Sequence, residues 1–206
     1  MDLSVYIIAV FLFMATPGPG IMLNIIISLN YGIKTTLFSI FGMMSGLIFY
    51  AVISFYLIEL LTSTNSIFLN TVQLIGSSYV IYMGLKKLKS HKKANLHKHI
   101  EQKPKFKFYL DGLFMSFSGP KPIIFFTGVL PPFIDFNKDP NEQFIILSIV
   151  FLSMMFLINL FYSFLSIKIA GRVKESEKYI SKMNVGSGYF FILLGIFLIS
   201  RVLLNF

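Results

Sequence analysis

Cysteine and tryptophan are absent from the 206 residues, and charge is scarce. Without cysteine there is no disulfide, no thiolate metal site and no thiol nucleophile. Without tryptophan, any aromatic belt at a membrane interface falls to tyrosine. Asp, Glu, Lys and Arg make up 13% of the chain, half of the roughly 25% found in soluble domains. The P-loop, the dinucleotide fingerprint and HExxH are missing, as is a serine nucleophile elbow. An ATP-driven pump made of this chain alone is therefore excluded, and any transport has to be downhill or gradient-driven. No constellation of carboxylate, His or Cys marks an enzyme, and no cofactor is expected.

Hydrophobic residues dominate, at 55%, and the few charges punctuate long apolar runs. No charged residue lies between Asp2 and Lys34, Lys34 and Glu59, Glu59 and Lys86, or Glu142 and Lys168. A single charge, Lys121, interrupts the run from Asp111 to Asp135, and a last run lies between Lys182 and Arg201. A helix needs about 20 apolar residues to cross the hydrocarbon, so each run crosses once and the chain forms six transmembrane spans. Residues 13–17 loosely resemble a signal-cleavage region, but Asp2 stands where a basic n-region belongs and the apolar run continues through Ile33. The first span is expected to be retained.

The net charge of +9 suggests nucleic acid at first sight. Yet nine of the eighteen Lys and Arg lie between Lys86 and Lys107, and no segment is long or mixed enough for a soluble domain to display them. No nucleic acid is expected; anionic lipid headgroups against this basic loop are. Basic loops stay cytoplasmic. Residues 88–107, Lys34, and the Arg172–Lys182 segment thus fall inside, and the loops near 62–65 and 135–142 fall outside with both termini. His97 and His99 could hold a metal only weakly, and nothing else completes a ligand set.

The basic loop divides a single membrane domain, 1–206, into three-span groups at 1–87 and 108–206. Three is odd, so the groups enter the membrane with opposite sense, which is the arithmetic of two inverted three-helix repeats. The leading span of each carries helix breakers at its middle. These are Thr16, Pro17, Gly18, Pro19 and Gly20 in span 1, and Ser118, Gly119, Pro120, Lys121 and Pro122 in span 4. Proline removes an amide donor and clashes with the preceding turn. Freed backbone groups are too costly to face lipid, so broken helices survive only in protein or beside a watery cavity. Matched interruptions point to a transport site; ordinary proline kinks are the alternative.

Lys121, an intramembrane charge, needs a partner such as a substrate carboxylate or a carbonyl of the broken helix. Snorkelling is the other reading, at a reach of roughly 15 Å from the inner surface. Asn24, Asn159 and Ser163 suit helix–helix hydrogen bonds, and Gly42 and Gly46 make a small-xxx-small face. Gly76, Gly84, Gly188 and Gly195 are expected to pack in the same way.

Taken together, these residues resemble the LysE/RhtB superfamily of amino-acid exporters over nearly the whole chain. The resemblance is carried by Thr16-Pro17-Gly18-Pro19, Gly32, Gly42, Gly46, Gly76, Tyr79, Tyr82, Gly84, Gly112, Pro120-Lys121, Phe125-Phe126, Pro131-Pro132-Phe133, Arg172, Asn184, Gly188 and Gly195. It implies a secondary transporter in the inner membrane of a prokaryote, exporting an amino acid or similar small molecule. A proton or sodium ion is the candidate coupling ion, and a homodimer is left open. Many relatives carry Asp where this chain has Gly20, Asn where it has Gly119, and Asp where it has Asn159. The two lost carboxylates weaken the case for proton coupling and for a cationic substrate. The site expected is Thr16–Gly20, Gly119–Lys121 and Asn159. A channel or a structural subunit of a membrane complex is the rival class.

Overall fold

A computed structural model describes residues 3–15, 18–64, 66–89, 104–118, 122, 125–135, 138–168 and 173–204. Among these residues the chain is all-helical, with six α-helices and no strands. They are α1 (Leu3–Ala15), α2 (Pro19–Thr64), α3 (Ser66–Lys89), α4 (Lys105–Ser118), α5 (Pro140–Lys168) and α6 (Val173–Leu204). A π-helical turn, Phe125–Val129, and a 3-10 turn, Pro131–Phe133, follow α4.

The helices are not one per pass. Gly32 sits inside α2 with φ 73° and ψ 175°, a left-handed φ that glycine alone tolerates cheaply. A straight helix would hold Gly20 and Met43 roughly 35 Å apart. Instead, a Cβ built on Gly20 would lie 2.6 Å from Cε of Met43. Helix α2 therefore doubles back at Gly32 as a hairpin with arms 19–31 and 33–64. Thr36 steadies the turn by donating from Oγ1 to the Gly32 carbonyl at 3.0 Å.

Cross-helix contacts give the directions. Arm 33–64 runs parallel to α4, since Ser45 meets Tyr109 through a 2.9 Å hydroxyl contact and Phe49 meets Phe117 further along. It runs antiparallel to α5, because Phe41 pairs with Phe156 and Phe55 with Phe144. Helix α1 and arm 19–31 run parallel to α5, through Tyr6 to Leu147 and Asn24 to Asn159. Helices α3 and α6 are antiparallel, with Gly84 against Gly188 and Gly195 against Ser77 and Ile81.

Glycine makes the tightest contacts, as the small-residue pattern leads one to expect. A Cβ on Gly42 would collide with the Tyr109 carbonyl, one on Gly112 with the Ser39 carbonyl, and one on Gly46 with the Ser116 hydroxyl. Gly76 and Gly128 face each other backbone to backbone, where α3 crosses the π-helical turn. Between helices in lipid, where apolar burial offers little drive, such close approach supplies dispersion contact.

The outer surface is apolar. Ile8, Phe41, Tyr56, Ile75, Leu157, Phe161, Leu193 and Ile196 are all exposed. A belt of this extent suits lipid contact and not water. Helices Pro140–Lys168 and Pro19–Tyr56 are long and apolar enough to cross a membrane; in the latter, the length lies in the arm after Gly32, because arm 19–31 rises only about 20 Å.

Candidate functional site

Helix α1 contributes 13 residues, about 20 Å of rise, before it ends at Ala15. The next helix begins at Pro19, where proline's missing amide costs nothing because a first-turn N–H has no intrahelical partner. The carbonyl of Gly18 accepts from the Met22 amide at 3.0 Å. In the other half, α4 runs for 14 residues and ends at Ser118.

The start of α2 and the last residue of α4 border the same cavity, of about 120 Å³. Its lining includes Gly18, Pro19 and Gly20 and, from the other half of the chain, Ser118 and Pro122. Met14, Ile21, Met43, Leu47, Met115, Ser116, Phe151 and Met155 complete the wall. A Cβ on Gly18 would meet nothing within 4 Å. Ser116 and Ser118 donate to carbonyls of their own helix, those of Leu113 and Phe114, at 2.7 Å each. Their oxygens keep lone pairs for a donor.

Below the cavity a polar seam joins arm 19–31 to α5. Asn24 lies one turn beyond Ile21, and Asn159 one turn beyond Met155. The Asn24 Nδ2 donates to Asn159 Oδ1 at 2.8 Å, and Asn159 Nδ2 donates to the Met155 carbonyl at 2.8 Å. One turn further, the hydroxyls of Ser28 and Ser166 lie 2.6 Å apart. Ser163, also buried, donates to the Asn159 carbonyl. The Asn24 Oδ1 is buried with no hydrogen-bond partner among the described residues, a costly state for an amide oxygen.

Above the cavity stands an aromatic plug. Phe125 and Phe151 stack at 3.8 Å between centroids, and Tyr6, Phe13, Phe126, Phe133, Phe144 and Phe191 pack around them. The π-helical turn presents this cluster: the Leu130 amide reaches back five residues to the Phe125 carbonyl at 2.9 Å. Such turns recur at functional sites. Arg201 pins the following turn, donating from Nη1 to the Pro132 carbonyl at 2.9 Å and lying 5.4 Å from the Phe133 ring centre.

Of the residues singled out from sequence, Gly18, Pro19 and Gly20 line the cavity. Asn159 instead lies in the seam beneath it, paired with Asn24. Thr16, Pro17, Gly119, Pro120 and Lys121 lie outside the described residues, as do residues 90–103 of the basic loop and Arg172. Asp111 is half-buried in the second turn of α4. Sequence reasoning did not single out the four methionines of the wall; no periodicity links positions so far apart in the chain.

An apolar-belted helical bundle around a cavity fits a multi-pass membrane protein. The profile of the LysE type translocator family matches residues 11–201, and the chain belongs to that family. It is 24% identical over 195 residues to the homoserine/homoserine lactone efflux protein of Salmonella typhi, covering 95% of this chain and 94% of the relative. It is 27% identical over 156 residues to the uncharacterized membrane protein YrhP of Bacillus subtilis (strain 168), covering 71% and 74%. An uncharacterized membrane protein of Vibrio cholerae is 24% identical over 201 residues, 96% of this chain and 98% of the relative. No solved structure matches the chain. Membership supports the export of small metabolites, and so transport and not catalysis.

Proposed function

We propose that this protein is a secondary exporter of an amino acid or related small metabolite in the cytoplasmic membrane of a prokaryote. Its site lies between the broken leading spans of two inverted three-helix repeats. One observation carries the reading: residues 18–20 and residues 118 and 122, about a hundred positions apart, border the same cavity. The helix directions agree with it, because spans 1 and 5, like spans 2 and 4, run alike while spans 3 and 6 run opposed.

The chemistry follows from helix ends. The start of α2 at Pro19 leaves amides of its first turn free, with the positive end of the helix dipole behind them. A substrate carboxylate is stabilised there, and Lys121 adds its ammonium. The carbonyls at the end of α1 carry the negative end of a dipole and receive a substrate ammonium. The seam at Asn24, Asn159, Ser28 and Ser166 closes the cytoplasmic side, and the aromatic plug closes the other. Alternating access then consists of the segments around the two interruptions shifting against the welded arm 33–64 and α4, so that seam and plug open in turn. Homoserine efflux by the Salmonella relative suggests a solute of similar backbone size.

The test is efflux from amino-acid-loaded cells carrying Lys121→Ala. Losing a charge-assisted contact of about 1.5–3 kcal/mol lowers efflux roughly tenfold or more. Unchanged efflux from folded protein at normal membrane levels would remove Lys121 from the mechanism.

A further inference from the structure

We infer that the solute is a neutral amino acid with a compact apolar side chain, aliphatic or thioether, and that four convergent methionines form the compartment receiving it. The inference rests on the transport reading and narrows its substrate.

Met14 comes from α1, Met43 from α2, Met115 from α4 and Met155 from α5, and all four line the one cavity. Ile21, Leu47 and Phe151 fill the wall between them. Among the described lining residues none is ionisable. A lysine or glutamate side chain entering here would lose its water and find no counter-charge on those residues. An aliphatic or thioether side chain loses nothing of that kind. The space, about 120 Å³, is of the order of the roughly 150 Å³ cavity that holds benzene in a dry protein interior.

The methionines also lie where the substrate's backbone groups would be held. A Cβ on Gly20 would sit 2.6 Å from Met43 Cε and 3.7 Å from Met115 Cγ. Thioether compartment and free helix end are thus adjacent, as an amino acid's side chain and backbone are. Methionine has three rotatable bonds and a polarisable sulfur. Four of them from four elements re-pack around a branched or a straight side chain, and can do so while those elements move. A hydroxyl side chain is accepted somewhat less well: it loses its water among the thioethers and, among the described lining side chains, can donate only to the Ser116 or Ser118 oxygens at one side of the cavity.

The experiment is counterflow in proteoliposomes of the purified chain, with radiolabelled L-leucine, L-methionine, L-homoserine, L-lysine and L-glutamate. Leucine and methionine should exchange roughly tenfold faster than homoserine and about a hundredfold faster than lysine and glutamate. Met43→Gln should lower leucine exchange about tenfold and narrow its lead over homoserine. Met115→Gln, at a half-buried position, gives the same reading should the first variant misfold. Lysine, glutamate or homoserine exchanging fastest would overturn the substrate class and leave the transporter reading standing. Variants that keep the full preference for leucine would remove the methionines from selectivity. No exchange of any probe by monodisperse, helical protein would overturn the transport reading, and this inference with it.

Discussion

Glycine is used in two opposite ways in this bundle. At Gly42 and Gly112 it lets two backbones touch, and at Gly46 it admits the Ser116 hydroxyl, with no space for a methyl group. At Gly18 it faces open space, and at Gly20 it faces the ends of flexible thioethers beside a cavity. The first kind welds arm 33–64 to α4, joining the two halves of the chain through a rigid seam. The second leaves room where helices stop. Tight packing resists change and cannot bend by degrees, so movement has to concentrate where the packing is soft, around the methionines and the interruptions.

That contrast can be broken by substitution, and the largest effect is expected at the weld. Gly42→Val drives a branched side chain into the Tyr109 backbone, which α4 cannot yield without moving. Overpacking of this kind costs about 3 kcal/mol or more, and the yield of monodisperse protein in detergent should collapse. Normal yield and an unchanged melting temperature would show that the seam is loose.

Next in size is Arg201→Ala. It removes a hydrogen bond to Pro132 and a cation–π contact with Phe133, together about 1–2 kcal/mol. The melting temperature should fall by several degrees, with the aromatic plug loosened from its outer end.

Asn24→Ala is expected to be milder, because hydrogen bonds between membrane helices average about 0.6 kcal/mol. It also removes the unpaired Oδ1. Its signature is a shift toward a seam that opens to the cytoplasm, read as faster labelling of a cysteine introduced at Ser28→Cys from that side. Equal labelling rates would detach the seam from gating.

The smallest stability effect should come from Gly18→Ala. Its backbone φ is not of the left-handed kind and its Cβ meets nothing, so stability should hold within about 0.5 kcal/mol. Solute exchange should nonetheless slow severalfold, since the methyl group enters the cavity. A stable variant with unaltered exchange would separate the cavity from transport.

The sequence shows how much of this is legible, and where legibility ends. Charge-free runs and their flanking Lys and Arg reveal a helical membrane protein, because lipid leaves the backbone few alternatives. The glycines at 42, 46, 76, 84, 188 and 195 read as contacts for the same reason. Proline and glycine at 17–20 and 119–122 lead one to expect interruptions by local sterics alone. Tertiary convergence leaves no such local trace. Met14, Met43, Met115 and Met155 read as scattered apolar residues until the hairpin at Gly32 brings α2 back on itself. Asn159 reads from the sequence as a helix–helix hydrogen bond and from the resemblance as a site residue; its amide bonds Asn24 across the helices and the Met155 carbonyl. The π-helical turn at Phe125–Val129 has no sequence signal either.

The absence of cysteine makes the deciding measurement clean, since a single thiol can be placed at will. Met115→Cys in sealed vesicles should react with a water-borne maleimide, and the exchanged amino acid should slow that reaction in a saturable way. If the thiol stays unreactive from both sides in active protein, or reacts at a rate no solute alters, the cavity between the two interruptions is not the transport site.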